Sequence, residues 1–154
     1  MTPVLELYCH IEEPALDETV QDALLLALEA ALPEILALPK GPDHVLSELE
    51  SVEISIVDDP TIADVHGRFL DDPTATDVIT FPHGDGLGEI IVSYDTALRQ
   101  ADQFGEPWLR ELFRYMIHGL LHLHGYLDGL PEQRELMFSY QEPLVAKYAQ
   151  SLPI

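Results

Sequence analysis

Cysteine is almost missing from this chain, and positive charge is scarce. The single Cys9 excludes an internal disulfide and suits a reducing compartment. Only seven Lys and Arg oppose 28 Asp and Glu, a net charge of −21 at pH 7. The first 60 residues hold 14 acidic side chains against Lys40 alone; residues 61–154 hold 14 against six basic ones. Such a field repels polyanions and weakens non-specific nucleic-acid binding, which depends on neutralising phosphates. It favours solubility, a surface suited to high salt, or a basic protein partner. No apolar run is long enough to span a bilayer, so no membrane partner is expected. The opening Met-Thr-Pro-Val-Leu-Glu lacks the basic and apolar regions of a signal peptide. Repeats, low-complexity tails and linkers are also lacking. These absences lead to the expectation of one cytosolic (cytoplasmic) domain over residues 1–154, long enough to bury a core.

What is present reads as an α+β fold: a small four-stranded mixed sheet covered by helices. Alternating residues predict strands over 3–9, 52–57, 77–81 and 89–93, the last two joined by a hairpin-like His83–Gly88 connection. Asp17 is expected to cap a helix over about 18–38, with Leu24, Leu25, Leu28, Leu32 and Leu36 as its apolar stripe and Pro33 kinking it or ending it early. Asp58-Asp-Pro60 starts a short helix through about residue 68. Helices over about 94–104 and 106–124 follow, the second with Pro107 in its first turn. Pro131 opens a last helix that Pro143 is expected to interrupt. The 106–124 helix directs Leu109, Leu112, Phe113, Met116, Ile117 and Leu120 inward. Its other side carries Glu111, Tyr115, His118 and His122, expected to face a surface or cleft.

The stretch with chemical content is His118-Gly-Leu-Leu-His122-Leu-His124-Gly125-Tyr-Leu-Asp128, at the end of that helix in the C-terminal half. Histidines four apart share a helix face. Gly125 is suited to a left-handed helix stop, after which the chain can fold back and bring Asp128 to the imidazoles. Two imidazoles, one carboxylate and an open position make a catalytic zinc site. Ligands at i, i+4 and i+10 with glycine at i+7 also follow the spacing of one class of zinc peptidases. The glutamate that serves such peptidases as general base is Gly119 here. His124 competes as third ligand, but on a continuing helix it points about 200° away from His122, so Asp128 is preferred.

The motif resembles the signature of the YbeY-type endoribonucleases, bacterial rRNA maturation factors. Pro73-Thr-Ala-Thr76-Asp77-Val-Ile-Thr80-Phe81-Pro82 looks like that family's Pro-Thr-Asp-Val-Leu-Ser-Phe-Pro segment, and Gly88-Glu-Ile-Ile-Val-Ser93 is similar to the strand after it. The resemblance covers roughly residues 50–140. It implies a zinc-dependent endoribonuclease specific for single-stranded RNA, acting in 16S 3′-end maturation and ribosome quality control. Its implied partners are rRNA precursors and ribosomal proteins or assembly factors. The family's usual signature ends in a third histidine; here that position is Asp128, preceded by Leu127. The resemblance also implies a catalytic arginine before the Pro-Thr-Asp segment. Counted from Pro73-Thr74 that position is Arg68, and counted without a gap from Asp77 it is Leu70.

Two other classes remain open at this stage. One is a metallopeptidase-like hydrolase; the other is a non-catalytic, metal-stabilised ribosome-assembly module. Arg68 and Arg114 are the cations available to offset transition-state charge. Asp77, Thr76, Thr80, His83 and Tyr126 are candidate supporting residues, whereas His10, His44 and His66 show no partner pattern.

Overall fold

Alternation along 52–57 and 89–93 sends neighbouring side chains to opposite faces of a sheet. In the computed structural model, which describes residues 2–72 and 74–154, those segments are the two inner strands. Strand β1 is Val4–Cys9, β2 Ser51–Val57, β3 Val78–Pro82 and β4 Leu87–Ser93, in the order β1-β2-β4-β3. β1, β2 and β4 run parallel, and β3 pairs antiparallel with β4. The mixed four-stranded sheet and α+β class therefore agree with the reading above.

Val52, Ile54, Ile56, Ile90 and Val92 enter the main core on one face, with the helices α1 (Glu18–Ala37), α4 (Trp108–Leu123) and α5 (Pro131–Tyr148). Val57, Ile79 and Ile91 enter a smaller cluster on the other face, closed by Ile62 of α2 (Asp59–Leu70). Helix α3 is Tyr94–Phe104. Among the described residues, no helix is long and apolar enough to cross a membrane.

Local chemistry sets the helix starts. Asp17 accepts from Val20 N at 2.9 Å, and Asp58 from Thr61 N at 2.9 Å, each satisfying an amide the helix leaves open. Pro33 does not end α1, which continues to Ala37, and Pro143 does not interrupt α5, which continues to Tyr148. Each proline removes one backbone bond, and the buried residues after it, Ile35 in α1 and Leu144 and Val145 in α5, hold the helix to the core. Pro107 is the residue before α4, not its first turn.

A further correction concerns α4. Glu111 and Tyr115, expected on its open side, are buried, because β3 and α5 both pack against the helix. At Gly119 a Cβ would lie 2.6 Å from Ile90 Cγ2, so glycine lets α4 approach β4 closely. His118 and His122 are less buried and reach a cleft.

Candidate metal centre

Helical spacing stacks the His118 and His122 rings 4.5 Å apart at 90°. Helix α4 stops two residues later: His124 is its C-terminal cap, and Gly125 follows with φ +103°. Such a φ favours glycine. The chain then turns back, and the Asp128 Oδ2 lies 3.2 Å from His118 Nε2 and 3.3 Å from His122 Nε2. One ligand atom from each residue lies within 4.8 Å of the others. The structure thus brings together His118, His122 and Asp128.

Both imidazoles are held from behind. His118 Nδ1 lies 2.6 Å from Gln141 Oε1, and His122 Nδ1 lies 2.8 Å from the Tyr126 carbonyl. Both partners accept hydrogen bonds, so each Nδ1 donates and each Nε2 keeps its lone pair toward the centre. Burial, followed by the nearby His118, lowers the pKa of His122 and favours the neutral, ligating form. This donor set fits a divalent metal such as zinc.

Gln141 was not anticipated. It is 2% exposed on α5 and lies among the buried Met137, Leu144 and Val145. A lone amide on an otherwise apolar stripe was the available signal. Its amide nitrogen donates to Glu142 Oε2 at 3.0 Å, and Glu142 accepts from Arg114 Nε at 3.0 Å. Arg114 also binds Glu106 at 2.7 Å and Glu111. Burial works against the Arg114 charge, but bonds to Glu142 and Glu106 more than reverse this and hold it protonated. Burial likewise disfavours the Glu142 carboxylate, yet bonds from Arg114 and Gln141 lower its pKa.

His124 is fully buried, with Nε2 2.9 Å from the Leu38 carbonyl, so it ties α4 to the segment after α1. Tyr126 belongs to the same fastening: its hydroxyl donates to the Pro39 carbonyl at 2.6 Å. Arg68 on α2 is 71% exposed and paired with Asp64 at 3.1 Å. Leu70, the other position considered for the family's arginine, lines a cleft of about 340 Å³ with Asp43, Thr80, His122 and Asp128. A second cleft of about 370 Å³ is lined by Asp77, Arg114, Tyr115, His118, His122 and Asp128, among others. The two clefts meet at His122 and Asp128. Pro73 lies outside the described residues. Asp77 accepts from Val78 N at 2.8 Å, and His83 pairs with Glu89 at 3.0 Å.

The family model described as Endoribonuclease YbeY matches residues 11–149. Three curated relatives named Endoribonuclease YbeY align with two thirds or more of the chain, or nearly so. The Myxococcus xanthus protein is 37% identical over 65% of this chain and 38% of its own length. The Thermobifida fusca protein is 33% identical over 71% of this chain and 77% of its own. The Rhodococcus jostii protein is 35% identical over 71% of this chain and 67% of its own. The match therefore spans well under half of the Myxococcus relative and about two thirds or more of the other two. The solution structure of TM1509 from Thermotoga maritima superposes with TM-score 0.64 at 23% identity, covering 94% of this chain and 89% of that one, a likeness of fold.

Proposed function

The chain belongs to the YbeY family of endoribonucleases, and from that membership we propose that it cleaves single-stranded RNA with one zinc ion held by His118, His122 and Asp128. The observation that carries the metal reading is the convergence of two imidazole Nε2 atoms on one carboxylate oxygen. Its biological setting, in this reading, is rRNA maturation and ribosome quality control in the cytoplasm. Ribosomal proteins or assembly factors are its protein partners, and the acidic surface suits their basic charge.

When bound, zinc supplies Lewis acidity toward a phosphoryl oxygen and activates water near neutral pH. Asp128 supplies the one anionic ligand, which makes the site a charge more negative than a set of three imidazoles. Gln141 and the Tyr126 carbonyl keep both rings aimed inward. The clefts on either side of His122 and Asp128 give a strand room to pass across the centre. Arg68 is kept as the candidate for offsetting transition-state charge; its guanidinium now pairs with Asp64. Arg114 is already enclosed by carboxylates, so it orders the cleft wall. A peptidase reading lacks its glutamate base, because position 119 is a glycine against Ile90.

Metal analysis of untagged protein, paired with cleavage assays on single-stranded and duplex RNA, tests the proposal. It predicts one zinc per chain, cleavage of the single strand, and loss of both in His122→Ala. Cleavage that persists in His122→Ala, or in metal-free protein, would contradict it.

A further inference from the structure

Two exposed phenylalanines share a depression that adjoins the candidate metal centre. Phe104, at the end of α3, is 66% exposed, and Phe138 on α5 is 46% exposed. Both line one depression of about 410 Å³ together with Glu106, Glu111, Arg114 and Glu142. Phe138, Glu111, Arg114 and Gln141 also line the cleft that holds His118, His122 and Asp128, so the depression continues from the centre. In that shared cleft Tyr115 is 4% exposed, with its hydroxyl beside Glu111.

The chemistry of the walls selects the occupant. One guanidinium faces three carboxylates, so the surroundings carry excess negative charge and disfavour a phosphate. Carboxylate oxygens accept hydrogen bonds from N–H groups, and exposed rings offer faces for stacking. Those features complement the edge and face of a nucleobase, not a sugar–phosphate backbone.

We infer that this depression is a nucleobase subsite: an unpaired base of the strand whose phosphate lies at the metal centre stacks on Phe138 and Phe104, while its N–H groups donate to the carboxylates around Arg114. The inference rests on the ribonuclease reading above and adds to it a source of strand preference. In a duplex, base faces are covered by neighbours and the N–H edges are paired, so only a splayed base fits.

The test is oligoribonucleotide binding by Phe138→Ala, Phe104→Ala and Phe138→Leu, with substrates carrying one abasic nucleotide at successive positions. Each alanine variant is expected to bind single-stranded RNA about 5- to 150-fold more weakly, the range for losing one base–aromatic stack. Zinc content and the folded far-ultraviolet spectrum should stay unchanged, since both rings are surface groups. Phe138→Leu keeps apolar bulk without a ring face and should bind as poorly as Phe138→Ala. At one abasic position the wild-type protein should weaken to match Phe138→Ala, with no further loss in the variant. Wild-type affinity in both alanine variants, or losses that add at every abasic position, would overturn the subsite while leaving the ribonuclease reading intact. A wild-type protein that neither binds nor cleaves RNA would overturn both.

Discussion

Gln141 shows how one side chain far along the sequence orients a candidate ligand. Its Oε1 fixes the His118 ring through Nδ1, and its own amide is fixed by Glu142, which Arg114 holds. Replacing such a partner behind a metal-bound histidine weakens metal binding by about 10- to 100-fold. Gln141→Ala should therefore bind zinc more weakly by about that factor in a chelator competition, with the ion count at saturation still one per chain. Unchanged affinity would mean that α4 packing alone aims His118. At the carboxylate position, the Asp128 Oδ2 lies within reach of both imidazoles. The i, i+4, i+10 pattern made these three residues legible in the sequence, because a helix turn and a glycine stop act over a few residues. Gln141 was hidden because its meeting with His118 spans 23 residues and depends on how α5 crosses α4. Arg68 drew attention by its position relative to a motif, whereas its side chain pairs locally with Asp64.

Elements are placed by close approaches that only small residues permit. A Cβ on Gly41 would lie 2.1 Å from the Gly125 carbonyl oxygen, where the segment after α1 crosses the turn that leads to Asp128. Gly41→Ala should push that turn outward, lowering stability by about 1–3 kcal/mol in urea unfolding and weakening zinc binding. Gly84→Ala, with nothing within 4 Å of the added carbon, should leave both unchanged. Helix α2 is fastened differently: Asp59 accepts from Ser93 Oγ at 2.6 Å and Thr96 Oγ1 at 2.8 Å and pairs with Arg99. Burial opposes its charge, but the bonds from Arg99, Ser93 and Thr96 outweigh this and lower its pKa below 3.8. The folded chain thus holds this proton less tightly than the unfolded chain. The stabilisation is present above the unfolded pKa and disappears as pH falls through the folded one. Asp59→Asn should cost about 1–2 kcal/mol near neutral pH, with the difference from wild type shrinking in thermal unfolding as pH falls through the folded-state pKa, below the ordinary aspartate range. A difference independent of pH would assign the effect to packing. The strands and the starts of α1 and α2 were legible because alternation and caps are local. The continuation of α1 past Pro33 and the burial of Glu111 and Tyr115 were not, since tertiary packing decides both.

Across the whole molecule, a net charge of −21 shapes how any nucleic acid is approached. Few phosphates find a free cation: of the seven Lys and Arg, Arg68, Arg99, Arg114 and Lys147 are paired with carboxylates among the described residues, leaving Lys40, Arg110 and Arg134. RNA affinity should therefore depend weakly on salt, with a log–log slope shallower than about −2, since each neutralised phosphate of a single strand adds about −0.7. A slope steeper than about −4 would show extensive backbone contact and contradict the account. All of this depends on one ion lying where the α4 histidines and the turn beyond them converge. The most direct measurement is an anomalous difference map at the zinc absorption edge, from crystals of the zinc-loaded protein. The account predicts a single strong peak bonded to His118 Nε2, His122 Nε2 and a carboxylate oxygen of Asp128. A peak coordinated without Asp128, or no peak near the two imidazoles, would contradict it.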